Sequence, residues 1–69
     1  MTATDKLAAR IASLTTEQLL EISLRMTLAT TGEEILVATY ADRELERRLP
    51  EADFLAHLAT CEALLDAAA

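Results

Sequence analysis

The sequence predicts a small all-α protein, a bundle of four short helices completed by a second copy of the chain. Two threonine-led phrases and one proline divide it. Thr15-Thr16-Glu17-Gln18 and Thr31-Gly32-Glu33-Glu34 both read as capping boxes. In each, a threonine oxygen can accept the amide proton at the third helical position, while Gln18 or Glu34 reaches back to the threonine's own N–H. Pro50 is favoured in a first helical turn and disfavoured in an interior, so it sets the last boundary. Between these marks the apolar residues recur at spacings of three and four.

The first helix is expected over about 4–14, capped by Thr4, with Leu7, Ile11 and Leu14 on one side. Residues 1–3 are expected to fray, as are 67–69 at the other end. The second runs from about 16 to 29, and Leu14 before its box with Leu19 inside it fits a hydrophobic staple. Its apolar residues form two stripes: Leu19, Ile22, Met26 and Ala29, and beside them Leu20, Leu24 and Leu28. A face that broad calls for more than one neighbouring helix. Thr30-Thr31-Gly32 is a connection of ordinary length.

The third helix is expected over 32–49, ending before Pro50 because a residue preceding proline avoids helical geometry. Turning 100° per residue, Ile35, Val37, Ala38, Ala41, Leu45 and Leu49 share its core arc, with Leu36, Tyr40, Arg43 and Arg47 nearly opposite. The fourth helix, about 50–66, opens with Glu51 and Asp53, where the dipole favours negative charge. Phe54, Leu58, Cys61 and Leu65 make its core stripe and Ala52, Ala56, Ala59 and Ala63 its other side. No repeat or linker interrupts residues 1–69, which read as one domain.

Composition narrows the function classes. A chain of 69 residues buries only about 60% of its unfolded surface, so help from a disulfide, metal or partner is expected. One cysteine excludes an internal disulfide, and no metal or cofactor motif is present. Although 52% of residues are apolar, one Phe, one Tyr and no Trp leave a thin aliphatic core, which points to self-association. A net charge of −6 disfavours direct binding to nucleic acid or an anionic membrane. No apolar run approaches the ~20 residues of a membrane helix. With no signal-peptide pattern and a lone thiol, the chain reads as cytoplasmic. Arginine outnumbers lysine five to one and alanine is abundant, as in a GC-rich bacterial genome.

Candidate sites are few. His57 and Cys61, four apart, could be half of a zinc site or a nucleophile pair. Zinc sites usually announce themselves with closer cysteine pairs, and acyl chemistry needs oxyanion-binding loops, so the plainer expectation is a buried thiol beside a histidine at the core's edge. The Asp42–Arg48 run reads as a solvated ion-pair lattice in which Glu44 meets Arg47 or Arg48. Helix two, the glycine turn and helix three resemble a helix-turn-helix in outline. Glu33 and Glu34, however, stand where DNA contacts would be needed.

For protein recognition, Leu36, Tyr40, Arg43 and Arg47 form the first candidate, because Tyr and Arg favour binding hot spots. The alternative is that helix one covers Leu36 and Tyr40. The alanine stripe of helix four is the weaker candidate. The expected function is a non-enzymatic, homodimeric interaction protein that binds another protein through an exposed helical face. The alternative is a small acidic inhibitor or accessory protein of a bacterial mobile element, seated in a basic groove of a nucleic-acid-processing machine. A helix-turn-helix regulator ranks below both.

Overall fold

Caps decide where each helix begins. The computed structural model describes residues 2–68, and Met1 and Ala69 lie outside them. Four α-helices follow in order: α1 Ala3–Ser13, α2 Thr16–Arg25, α3 Gly32–Arg48 and α4 Glu51–Ala68. A 3-10 turn, Met26–Leu28, continues α2. No strand occurs among the described residues, and the fold is a small all-α bundle.

Thr15 and Gln18 make the full reciprocal box expected of them, at 3.1 and 2.9 Å. Thr31 makes half of one. Its oxygen accepts the Glu34 amide at 3.2 Å, but the Glu34 carboxylate accepts the threonine hydroxyl rather than the backbone N–H. The first helix corrects the expected start. Thr2, not Thr4, is its cap, and Asp5 completes a box with it. Thr2-Ala3-Thr4-Asp5 carries the Thr-x-x-acid spacing that Thr4 lacks. The described helices reach Ala3 at one end and Ala68 at the other.

The second helix is shorter than expected. At Met26 the backbone flattens to ψ −2° and the chain tightens into the 3-10 turn. Such tightening satisfies terminal carbonyls that have no α-helical partner. The third helix ends at Arg48, and Leu49 is already extended before Pro50.

The buried apolar residues among those described are Ile11, Leu19, Ala41 and Leu45. Leu7, Leu14, Leu20, Ile22, Val37, Tyr40, Leu49 and Phe54 pack against them, half-buried. Leu14 and Leu19 thus join one core, as the staple requires. The α2–α3 pairing is the most extensive, α1 lies on α3, and α4 returns antiparallel to α3 beside the 3-10 turn.

Arg48 fastens α1 to the rest. Its guanidinium donates to the carbonyls of Leu14 at 2.7 Å and Ala12 at 2.9 Å, and to Glu44 at 2.9 Å. Those carbonyls belong to the unpaired end of α1, where a cation also meets the helix dipole favourably. The charge run is therefore not simply a solvated lattice, because the Glu44 side chain is 12% exposed.

Two core expectations fail. Ile35 on α3 and Leu65 on α4 are 52% and 48% exposed. The second α2 stripe is only partly covered, with Leu20 half-buried but Leu24 and Leu28 exposed. Among the described residues no helix is long and apolar enough to cross a membrane.

Candidate functional site

Three helices meet at one polar junction. Ser23 of α2 is 3% exposed, and its Oγ donates to Oδ1 of Asp42 on α3 at 2.5 Å. His57 Nε2, from α4, lies 2.8 Å from the same Oγ, and Cys61 Sγ lies 3.6 Å from that nitrogen. Proton counting assigns the roles. A carboxylate only accepts, so the single serine hydrogen goes to Asp42 and the serine oxygen accepts from His57. The Nε2 tautomer follows from this network.

That assignment bears on chemistry. With the one Nε2 hydrogen directed to Ser23, that nitrogen offers neither Ser23 nor Cys61 a base's lone pair. Both junction residues of α4 lie inside a continuous helix. Among the described residues, no three His, Cys, Asp or Glu side chains are grouped to hold a metal ion. The arrangement joins helices. His57 is accordingly more than a core-edge histidine, and Cys61 is half-buried rather than buried.

Beside the junction lies an open groove of about 280 Å³ between the 3-10 turn, the start of α3 and the end of α4. Met26, Ile35, Ala38, Leu58 and Leu65 give it apolar walls, and Asp42 contributes a carboxylate. Two of its hydroxyls are turned inward. Thr27 donates to the Ser23 carbonyl at 3.0 Å and Thr39 to the Ile35 carbonyl at 2.8 Å. Ile35 and Leu65, missing from the core, are found here.

The α3 stripe is divided in its surroundings. Leu36 is 43% exposed, whereas Tyr40 is half-buried and packs against the core cluster. The Arg43 guanidinium carbon lies 5.6 Å from the Tyr40 ring centroid, within cation–π range. Arg47 binds Glu44 through two hydrogen bonds. The hydrogen bond from Arg47, with support from Arg48, holds the Glu44 carboxyl down at about 2 against some opposition from burial. The same pairing raises the Arg47 guanidinium above its ordinary value.

On α4, Ala52, Ala56, Ala59 and Ala63 are all exposed, and Leu55 beside them is 54% exposed. The opposite side, with Phe54, His57, Leu58, Cys61 and Leu64, is only half-buried. No residue of α4 is fully buried.

Sequence reasoning did not find Ser23 or Asp42. A serine inside an apolar helical stripe was the available signal, since such a position needs a buried partner. No known family, curated protein or solved structure matches the chain.

Proposed function

We propose that the chain is a non-enzymatic, cytoplasmic interaction protein whose apolar surface is covered by another protein chain. The observation that carries this reading is α4, which is apolar on both sides and buries none of its residues completely. A helix with apolar residues on two of its sides calls for more than one neighbour.

The surface area agrees. A 7.5 kDa monomer scales to about 4,250 Å² of accessible surface. This chain exposes 4890 Å², an excess of about 600 Å². A standard interface buries roughly 800 Å² per partner. The molecule is also flat, with principal extents of 39, 29 and 15 Å.

Self-association is the first form of this reading. Two copies of a chain at −6 repel, so their contact disfavours the acidic faces and favours one whose charges are partly balanced, as Arg47 and Glu44 balance on α3. The α3 stripe supplies Arg43 and Arg47 beside exposed Leu36 and half-buried Tyr40. Sedimentation equilibrium of the wild type with Leu36→Ser and Arg43→Ser is the test. A micromolar dimer weakened about tenfold by either change supports it. A monomer at every concentration removes it.

The acidic-accessory reading has its own observation. Helix α4 carries Glu51, Asp53, Glu62 and Asp66 and no Lys or Arg, so a basic protein meets it with opposite charge.

A further inference from the structure

We infer that the groove between the 3-10 turn, α3 and α4 binds a basic amphipathic helix of another protein. This names the partner chemistry of one face and rests on the interaction-protein reading above.

The apolar part of the occupant is set by the walls. Ile35 and Leu65 are each about half exposed, and Met26, Ala38 and Leu58 lie behind them. A groove with such walls takes leucine-sized side chains at i, i+3, i+4 and i+7 spacing along a helix. Junction hydroxyls do not obstruct this, because Ser23, Thr27 and Thr39 already donate within the protein.

Charge sets the rest. Asp42 stands in the groove and forms no ion pair among the described residues. Glu62, one turn after Leu58, flanks the groove's α4 wall, and Asp66 follows Leu65 farther round the helix, on the side away from His57. The helix ends add a third observation. Helices α1, α2 and α3 finish with Arg10, Arg25 and the Arg47–Arg48 pair, which compensate the negative end of the helix dipole. Helix α4 has no basic residue in its last turn and carries Asp66 there. Asp42 thus stands at the end of the groove next to His57, Glu62 and Asp66 follow α4 toward the other end, and no Lys or Arg lines the groove among the described residues. A second copy brings the same carboxylates and is repelled, whereas a helix flanked by Lys or Arg is attracted.

The probe is a synthetic amidated peptide of about 18 residues, with leucines at that helical spacing and lysines elsewhere. A second peptide keeps the leucines and replaces lysine with glutamate. Binding is measured by titration at about 50 and 300 mM salt, and the contact face is mapped by amide chemical shifts of the full chain. Expected is binding of the lysine peptide alone, weaker at high salt, with shifts confined to residues around Met26, Ile35, Asp42 and Leu65. Leu65→Ser, or Glu62→Gln with Asp66→Asn, weakens it about tenfold or more. Glu17→Gln with Glu46→Gln makes the same charge change elsewhere and leaves it within about twofold.

Three results overturn the inference: equal losses in the two charge pairs, equal binding of the glutamate peptide, or shifts spread over the whole surface. Loss of wild-type self-association in Leu65→Ser gives the groove to a second copy and also overturns it. An intact dimer on α3 with an unoccupied groove removes this inference alone. A monomer that takes neither partner removes the reading beneath it.

Discussion

Arg48 and Glu44 carry much of the fold's specificity on two side chains. The Arg48 guanidinium stops two carbonyls at the end of α1 and also holds Glu44. Arg48→Ala is expected to cost about 2–3 kcal/mol, because hydrogen bonds to charged groups exceed neutral ones. Urea denaturation measures it. Arg48→Lys should recover little, since a point charge on a flexible stem cannot reach both carbonyls and the carboxylate. Glu44 brings a pH dependence with a definite sign. Its carboxyl titrates at about 2 when folded, below the ordinary 4.5. The stabilisation is complete above the unfolded value and is lost as pH falls from about 4.5 to about 2. Acid melting curves of the wild type should therefore drop in that window, and Glu44→Gln should flatten this part of the drop. An unchanged profile in the variant contradicts the assignment. Neither Arg48 nor Ser23 was legible in the sequence as a link between helices. Their partners lie 34, 19 and 34 positions away, and periodicity reports only neighbours within one helix.

Helix boundaries were the most legible part, because caps are local chemistry. Thr15, Thr31 and Pro50 divide the chain where the structure divides it, and Thr2 repeats the same spacing one helix earlier. Thr15→Ala should cost about 1 kcal/mol of stability, read from its denaturation midpoint. Gly32→Ala should do the opposite. Gly32 has ordinary negative φ, and an added Cβ meets nothing within 4 Å. Alanine there should add about 0.5 kcal/mol by restricting the unfolded chain. Which side of a helix is covered was less legible. Ile35 shares an arc with Ala38 and Leu49, yet at one end of that arc no neighbouring helix extends over it. Leu65 is left exposed at the far end of α4 for the same reason. Periodicity fixes angles around an axis, whereas the position of the next helix depends on turns and long-range contacts. Because α4 is held by half-buried residues and the Ser23–His57 contact, its amides should exchange with solvent fastest among the four helices.

Across the whole molecule, the thin core expected from composition is found, with Leu19 and Leu45 as its large fully buried side chains. Leu24, Leu28, Ile35, Leu36, Leu55 and Leu65 remain exposed on a slab 15 Å thick. Each is about half covered already, so completing its burial contributes about 1 kcal/mol, and covering all of them would approach the stability of a small domain. Tyr40 separates two uses of the α3 stripe. Its half-buried position makes Tyr40→Ala costly to folding, by about 2 kcal/mol, while Leu36→Ser should leave folding nearly unchanged and weaken association. Sedimentation velocity of the wild-type chain from sub-micromolar to hundreds of micromolar concentration tests whether its apolar surface is covered by a second copy. Self-association gives a concentration-dependent rise from the 7.5 kDa chain toward twice that mass, accompanied by a melting temperature that climbs with concentration. A single 7.5 kDa species throughout, melting at one temperature, would contradict it.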